Sequence, residues 1–205
     1  MCTKKQYTII AGANGAGKST LYKTSNARIQ ELTTGIRLNS DEIVKEMGLD
    51  WRSVGAQIAA GKEVLRRLDA CFANGESCNQ ETTLCGSTIM KSVRRAKDLG
   101  YSIIILYVGV ASPNIAAERV AARVANGGHG VSEATIERRF SLSVKNLKKV
   151  IPYCECVYIY DNTQSLKCVA EIASGVVVND QTRIPGSECL WASEIIEGLP
   201  YECGD

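Results

Sequence analysis

The chain has 205 residues, 45% of them apolar, and carries 24 basic against 22 acidic residues for a formal charge of +2. This length and apolar content provide for one buried core and exclude a disordered chain, and the near-neutral balance gives no support for a partner such as nucleic acid or an anionic membrane surface. No apolar run approaches the roughly 18 residues needed to span a bilayer, residues 1–7 carry no secretory leader, and nine cysteines without a Cys-x-x-Cys pair read as reduced thiols in a cytosolic protein rather than as a zinc site.

Strand-like and helix-like segments alternate along the chain. Tyr7 to Ala11 is a short apolar run that ends at glycine, as a buried strand does. Gly12 to Gly17 forms a loop, and a helix begins near Lys18. Residues 36–39 give a second strand, followed by a short helix from Ser40 or Asp41 that stops at Gly48. Val54, Ile58, Leu65, Leu68 and Phe72 recur at helical spacing up to Asn74-Gly75. Residues 77–83 are a more polar strand, and Ile89, Val93 and Ala96 mark the helix that stops at Gly100.

Residues 103–110 are continuously apolar, the pattern of a central parallel strand. Ser112-Pro113 supplies an N-cap and a first-turn proline for a helix that ends at Gly127-Gly128. A long helix starts at Ser132 with the stripe Ile136, Phe140, Ser143 or Val144, Leu147 and Ile151. Residues 157–160 form the last core strand, and residues 171–179 read as a small edge hairpin around Ser174-Gly175. Residues 181–205 carry the least pattern and are expected to be a loosely packed appendage of a single domain spanning 1–205. The alternation predicts a three-layer α/β fold of the P-loop NTPase and nucleotide-kinase-like kind, with a mostly parallel five-stranded sheet and a helical lid.

Gly12-Ala13-Asn14-Gly15-Ala16-Gly17-Lys18-Ser19 matches G-x-x-x-x-G-K-[ST] at every fixed position and lies between a strand and a helix, where the mechanism requires it. Glycines allow several backbone N–H groups to converge on one anion, and the helix N-terminus adds partial positive charge. Gly12 through Thr20 therefore form a candidate site for the phosphates of ATP, with Lys18 reaching the β- and γ-phosphates and Ser19 on Mg²⁺. The chain lacks the Asn-Lys-x-Asp of guanine-specific GTPases and the Leu-Ser-Gly-Gly of transport ATPases, and the strand 103–110 ends without an acidic residue. A small-molecule kinase is the remaining class.

Four segments together resemble the zeta-toxin family of P-loop kinases. They are Gly12 to Thr20; Leu38-Asn39-Ser40-Asp41; Glu81-Thr82-Thr83; and Glu118-Arg119 through Arg139, which contains Gly127-Gly128-His129-Gly130-Val131. The resemblance covers about residues 5 to 165. It implies transfer of the ATP γ-phosphoryl group to a sugar hydroxyl, with UDP-N-acetylglucosamine the acceptor of the better-known toxins, and an antitoxin as partner. It also makes Asp41 the base for the acceptor hydroxyl and Glu63, Glu81 and Thr83 contacts to the acceptor or to metal-bound water.

Each role has a plainer rival. Asp41 fits a helix cap, Glu63 a solvated helix face, and Glu81 and Thr83 an edge strand. Arg119 and Arg123 share one face of their helix, and Arg139 flanks the stripe of Ile136 and Phe140 while Arg138 points away. These arginines border a glycine-rich bend that reads as a lid over ATP, with Arg119 at the nucleotide and Arg123 and Arg139 at the transferring group. Ordinary surface ion pairs are the rival for each. His129, alone in a loop, reads as exposed and structural. Two further functions stay open: a kinase of another metabolite, such as a nucleoside or sugar, and a non-catalytic ATP-binding regulator.

Overall fold

Strand β1, Gln6–Ala11, lies inside a seven-stranded sheet in the computed structural model, which describes residues 4–128, 130–186 and 188–202. Its neighbours β3 (Cys78–Thr82) and β4 (Ser102–Gly109) run parallel to it. Outside them lie β2 (Ile36–Leu38) and β5 (Cys156–Asp161), also parallel. The hairpin β6 (Lys167–Ala173) and β7 (Val176–Asp180) completes the order β2-β3-β1-β4-β5-β6-β7. The expected five-stranded sheet is thus one of seven: β6 pairs antiparallel along the whole of β5, from Asp161↔Lys167 to Cys156↔Ala173, so the hairpin extends the sheet.

Every residue of β4 is buried, as a strand covered on both faces requires. One core joins Tyr7, Ile9, Ile103 and Ile105 to helices α3 (Ser40–Glu46), α4 (Val54–Asn74), α5 (Thr88–Asp98) and α7 (Glu133–Val150). A second core joins Ile10, Leu106, Val108, Tyr158 and Tyr160 to α1 (Lys18–Tyr22) and α2 (Ala27–Leu32). Alternate residues of β1 enter different cores because successive side chains in a strand point to opposite faces. Helix α6 (Pro113–Ala125) packs on α7 through a small separate cluster of Val110, Ala116, Val120 and Ile136.

Three local expectations change. The helix from Lys18 ends at Tyr22, and a new one starts at Ala27 because the Asn26 side chain accepts a hydrogen bond from the Ile29 N–H at 3.2 Å. Helix α4 follows the expected stripe only in its second half: Leu68 and Phe72 are buried with Ala56, Ala60, Val64 and Cys71, while Val54 and Ile58 are 75% and 56% exposed. The helix packs against α3. The C-terminal stretch is not loose. Helix α8 (Leu190–Ile196) buries Ala192, Ile195 and Ile196 in the first core, and Tyr201 forms a parallel bridge to Val177.

Candidate active site

The loop between β1 and α1 has the backbone that its glycines were expected to permit. Gly12 and Gly17 have φ of +145° and +106°. A β-carbon on Gly12 would lie 2.1 Å from the Val108 carbonyl oxygen, so the close approach of the loop to β4 also requires glycine. The Lys18 ammonium donates to the carbonyls of Gly12 and Ala13 at 2.9 and 3.2 Å. Burial holds its pKa below the usual lysine range, and nearby Arg123 pushes the same way, against Glu81 and Asp41. Lysine, two carboxylates and a lid arginine therefore act on one another at this edge of the sheet.

Glu81 lies on β3, directly beside Ile10 of β1. Residues 103–110 end without an acid; Glu81 lies on the strand at the other side of β1. One Glu81 oxygen faces the Ser19 hydroxyl at 3.4 Å; the other accepts from Asn39 and from Arg37, each at 2.9 Å. Asn39 also caps α3, its Oδ1 accepting from the N–H groups of Asp41 and Glu42 at 2.8 and 3.4 Å. The capping role considered for Asp41 thus belongs to Asn39, and the Asp41 side chain is exposed at the carboxyl end of β2. Hard oxygen donors at Ser19 and Glu81 fit Mg²⁺, which is held by few protein groups together with phosphate oxygens and water. Among the described residues no group of three or more His, Cys, Asp or Glu is placed to hold a metal by itself.

The lid helices bring arginines to the same loop. Arg139 donates to Asn14 Oδ1 at 2.9 Å, and Arg138 is exposed, as the stripe predicts. Arg119 donates to the Thr163 carbonyl at 3.0 Å, tying α6 to the loop after β5. In that loop Asn162 donates to the Ala16 carbonyl of the P-loop at 2.8 Å. Thr20 stands exposed in the first turn of α1, its N–H bonded to the Gly17 carbonyl at 3.0 Å. His129 lies outside the described residues.

Glu63 is engaged elsewhere. It accepts from Arg66 at 2.7 Å and from Arg67 at 2.9 Å, and these bonds pull its pKa down to about 2. Arg67 also pairs with Glu46, so Glu63 belongs to an ion-pair network on the faces of α3 and α4, the solvated-face alternative. Thr83 follows β3, and its carbonyl accepts the Cys85 thiol at 3.1 Å.

Three residues beside the site had no sequence signal of their own. Arg37, 15% exposed, holds Glu81 and Glu42 and stacks on Tyr22 with its guanidinium 3.5 Å from the ring centroid. Its Nη1 is buried with no hydrogen-bond partner among the described residues. Leu84, fully buried at φ +59°, bends the chain just beyond β3. Cys85 then lies among Lys18, Arg138 and Arg139, whose charges oppose the rise that burial gives its thiol pKa.

Parallel sheet, glycine loop, helix N-terminus, lysine and facing acid define a P-loop nucleotide-binding protein with a kinase-like α/β fold. The chain belongs to the family described as AAA domain, whose model matches residues 8–141. A curated relative, an uncharacterised protein of Haemophilus influenzae, is 29% identical over 129 residues, covering 63% of this chain and 88% of its own.

Crystal structures of AvrRxo1-ORF1:AvrRxo1-ORF2 share the fold. The sulphate-bound form has a TM-score of 0.70 at 12% identity over 94% of this chain and 64% of that one. The ATP-bound form has a TM-score of 0.67 at 12% identity over 98% and 66%. The chain thus spans somewhat less than two thirds of that protein's length. The PezAT chromosomal toxin–antitoxin system of Streptococcus pneumoniae has a TM-score of 0.62 at 19% identity over 80% of this chain and 70% of that one. No helix among the described residues is long and apolar enough to cross a membrane.

Proposed function

We propose that the protein is an ATP- and Mg²⁺-dependent kinase that phosphorylates a hydroxyl of a small molecule, with a UDP-sugar such as UDP-N-acetylglucosamine the favoured acceptor. The observation that carries this reading is the convergence of Lys18, Ser19, Glu81 and Asp41 at one sheet edge. The ATP-bound AvrRxo1 structure of the same fold supports the choice of nucleotide. The resemblance to zeta toxins supports the acceptor class. The same resemblance and the PezAT likeness support an antitoxin as protein partner.

In this reading the backbone N–H groups of Gly12 to Thr20 hold the phosphates. Lys18 exchanges its present carbonyl acceptors for phosphate oxygens. Ser19 would hold Mg²⁺ and Glu81 would hold its water; the ion, when bound, would neutralise charge on the phosphates. Asp41 takes the proton of the acceptor hydroxyl as the new O–P bond forms and the bond from the β,γ-bridging oxygen to the γ-phosphorus breaks, releasing ADP. Arg123 and Arg139 balance charge on the group in flight, and Arg119 holds the nucleotide side of the lid. Thr83 and Glu81 position the acceptor, and Glu63 does so only if its arginine pairs open. Chemistry of this kind depends mainly on positioning and charge stabilisation.

The test is mass spectrometry of UDP-sugars, nucleosides and sugars incubated with protein, ATP and Mg²⁺. A phosphorylated UDP-sugar that is absent with Lys18→Ala supports the full reading. Phosphorylation of another compound keeps the kinase and removes the UDP-sugar. Asp41→Asn is expected to retain ATP binding and lose about 10²- to 10⁴-fold in turnover, the range for general-base catalysis. ATP binding with no phosphorylated product favours a nucleotide-binding regulator.

A further inference from the structure

The matched family segment stops at residue 141, yet the loop that braces the P-loop is held from beyond it. Asp161, the last residue of β5, accepts from the Trp191 indole N–H at 2.9 Å and from the Thr163 hydroxyl at 2.6 Å. Thr163 in turn accepts from the Ala111 N–H at 2.9 Å, while its carbonyl receives Arg119 at 3.0 Å. Between them Asn162 binds back to the Gly109 carbonyl and forward to the Ala16 carbonyl, at 2.9 and 2.8 Å. Residues 161–163 are thus a junction of three parts: the P-loop, the lid helix α6 and the C-terminal helix α8.

The contact with α8 is specific in shape as well as in hydrogen bonding. Trp191 lies on Gly109, where an added β-carbon would come within 2.3 Å of the indole ring. Its ring also meets Tyr107 with centroids 6.2 Å apart. A side chain at position 109 would therefore displace the indole. The Asp161 carboxylate is half-buried, and hydrogen bonds to such a charged group are stronger than neutral ones.

We infer that Trp191 and Asp161 are positioning residues for nucleotide binding: α8 holds loop 161–163, and through it the P-loop and Arg119, in the shape that accepts MgATP. This inference rests on the nucleotide reading given above. It adds that the C-terminal segment is a working part of the nucleotide site.

The measurement is calorimetric titration of the full chain with MgATP. Trp191→Phe keeps an aromatic ring but removes the N–H together with the outer ring carbons that lie on Gly109; Asp161→Ala removes the acceptor alone; Asp161→Asn keeps an acceptor oxygen. The first two are expected to raise the Kd for MgATP about tenfold, the size of one lost charge-assisted bond. Asp161→Asn is expected to fall between the parent and Asp161→Ala, since its oxygen can keep both bonds but not the charge that strengthens them. In turnover assays the KM for ATP should rise while the KM for the acceptor is unchanged.

A purely structural role would lower the melting temperature and leave these values alone; folded Trp191→Phe and Asp161→Ala proteins with the parent Kd overturn the inference. A second readout covers variants that fail to fold. In a Trp51→Phe background Trp191 is the sole fluorophore of its kind, and its emission should change when MgATP binds; unchanged emission on saturation also overturns the inference. If the unmutated protein binds MgATP no better than Lys18→Ala does, the nucleotide reading itself fails and this inference falls with it.

Discussion

Arg37 and Glu81 form an ion pair at 2.9 Å with side chains only 15% and 12% exposed. The guanidinium is also stacked on Tyr22, so the pair joins β2 and β3 to α1, the helix that carries Ser19. A carboxylate held by Arg37 and Asn39 cannot swing, which fixes the oxygen that faces Ser19.

Arg37→Ala is therefore expected to cost about 2 kcal/mol of stability, below the range for fully buried pairs because some solvent remains. Urea denaturation measures this. The substitution also frees the Glu81 side chain, so Mg²⁺-dependent turnover should fall more than ATP affinity. Equal loss in both would mean that Glu81 is not set by Arg37.

Much of this site was legible because its signals are local. Gly12 to Ser19 lie within one strand–loop–helix, and Asp41 and Glu81 follow or end short strands, where α/β sheets bind ligands. The partners of Glu81 were not legible, since Arg37 and Asn39 are 44 and 42 residues away and meet it only through the β2–β3 pairing. Trp191 was missed for the same reason: α8 has seven residues, too few for a clear period, and its contact with Asp161 spans 30 residues. The second half of the α4 stripe, Leu68 and Phe72, was legible; the first half was not, because Val54 and Ile58 lie off the face on which Ala56, Ala60 and Val64 are buried. The sheet was undercounted because a hairpin pattern alone does not reveal which edge it joins.

Lys18 predicts an opposition between stability and binding. Burial lowers its pKa from the ordinary 10.5, so the charged form is disfavoured in the folded protein. Lys18→Met removes that cost and should raise the melting temperature without nucleotide while abolishing MgATP binding. The pH dependence has a definite sign. Below the lowered pKa the full cost of the charge is present. Between that pKa and 10.5 the unfolded chain binds more protons than the folded one, so parent stability rises with pH. The advantage of Lys18→Met should shrink through that window; a constant advantage from neutral pH to pH 10.5 would refute a charge origin.

The turn between β6 and β7 predicts a gain. Ser174 and Gly175 have φ of +50° and +83°, a two-residue hairpin with both central residues left-handed. Serine adopts this conformation at a cost that asparagine largely avoids. Ser174→Asn should stabilise by roughly 0.5 to 1 kcal/mol, read as a shift in urea midpoint at unchanged slope. MgATP affinity should not move, since the turn lies at the far edge of the sheet from the P-loop strand.

The bond from Arg139 to Asn14, 2.9 Å long, joins the lid to the P-loop side chain rather than to its phosphate-binding backbone. A guanidinium that stabilises the transferring group must leave Asn14 when ATP occupies the loop. Removing the two partners should then have different kinetic signatures. Asn14→Ala takes away only the resting contact, so kcat should stay within about threefold of the parent, with any change falling on the KM for ATP. Arg139→Ala takes away the charge itself and should lower kcat by about 10³-fold or more, as loss of an arginine that meets transition-state charge does. Arg139→Lys keeps the charge but not the planar fork and should recover only part of the rate. Single-turnover measurements on the three variants separate these effects. If Arg139→Ala and Asn14→Ala behave alike, Arg139 serves to hold the lid and Arg123 becomes the arginine to test at the phosphoryl group.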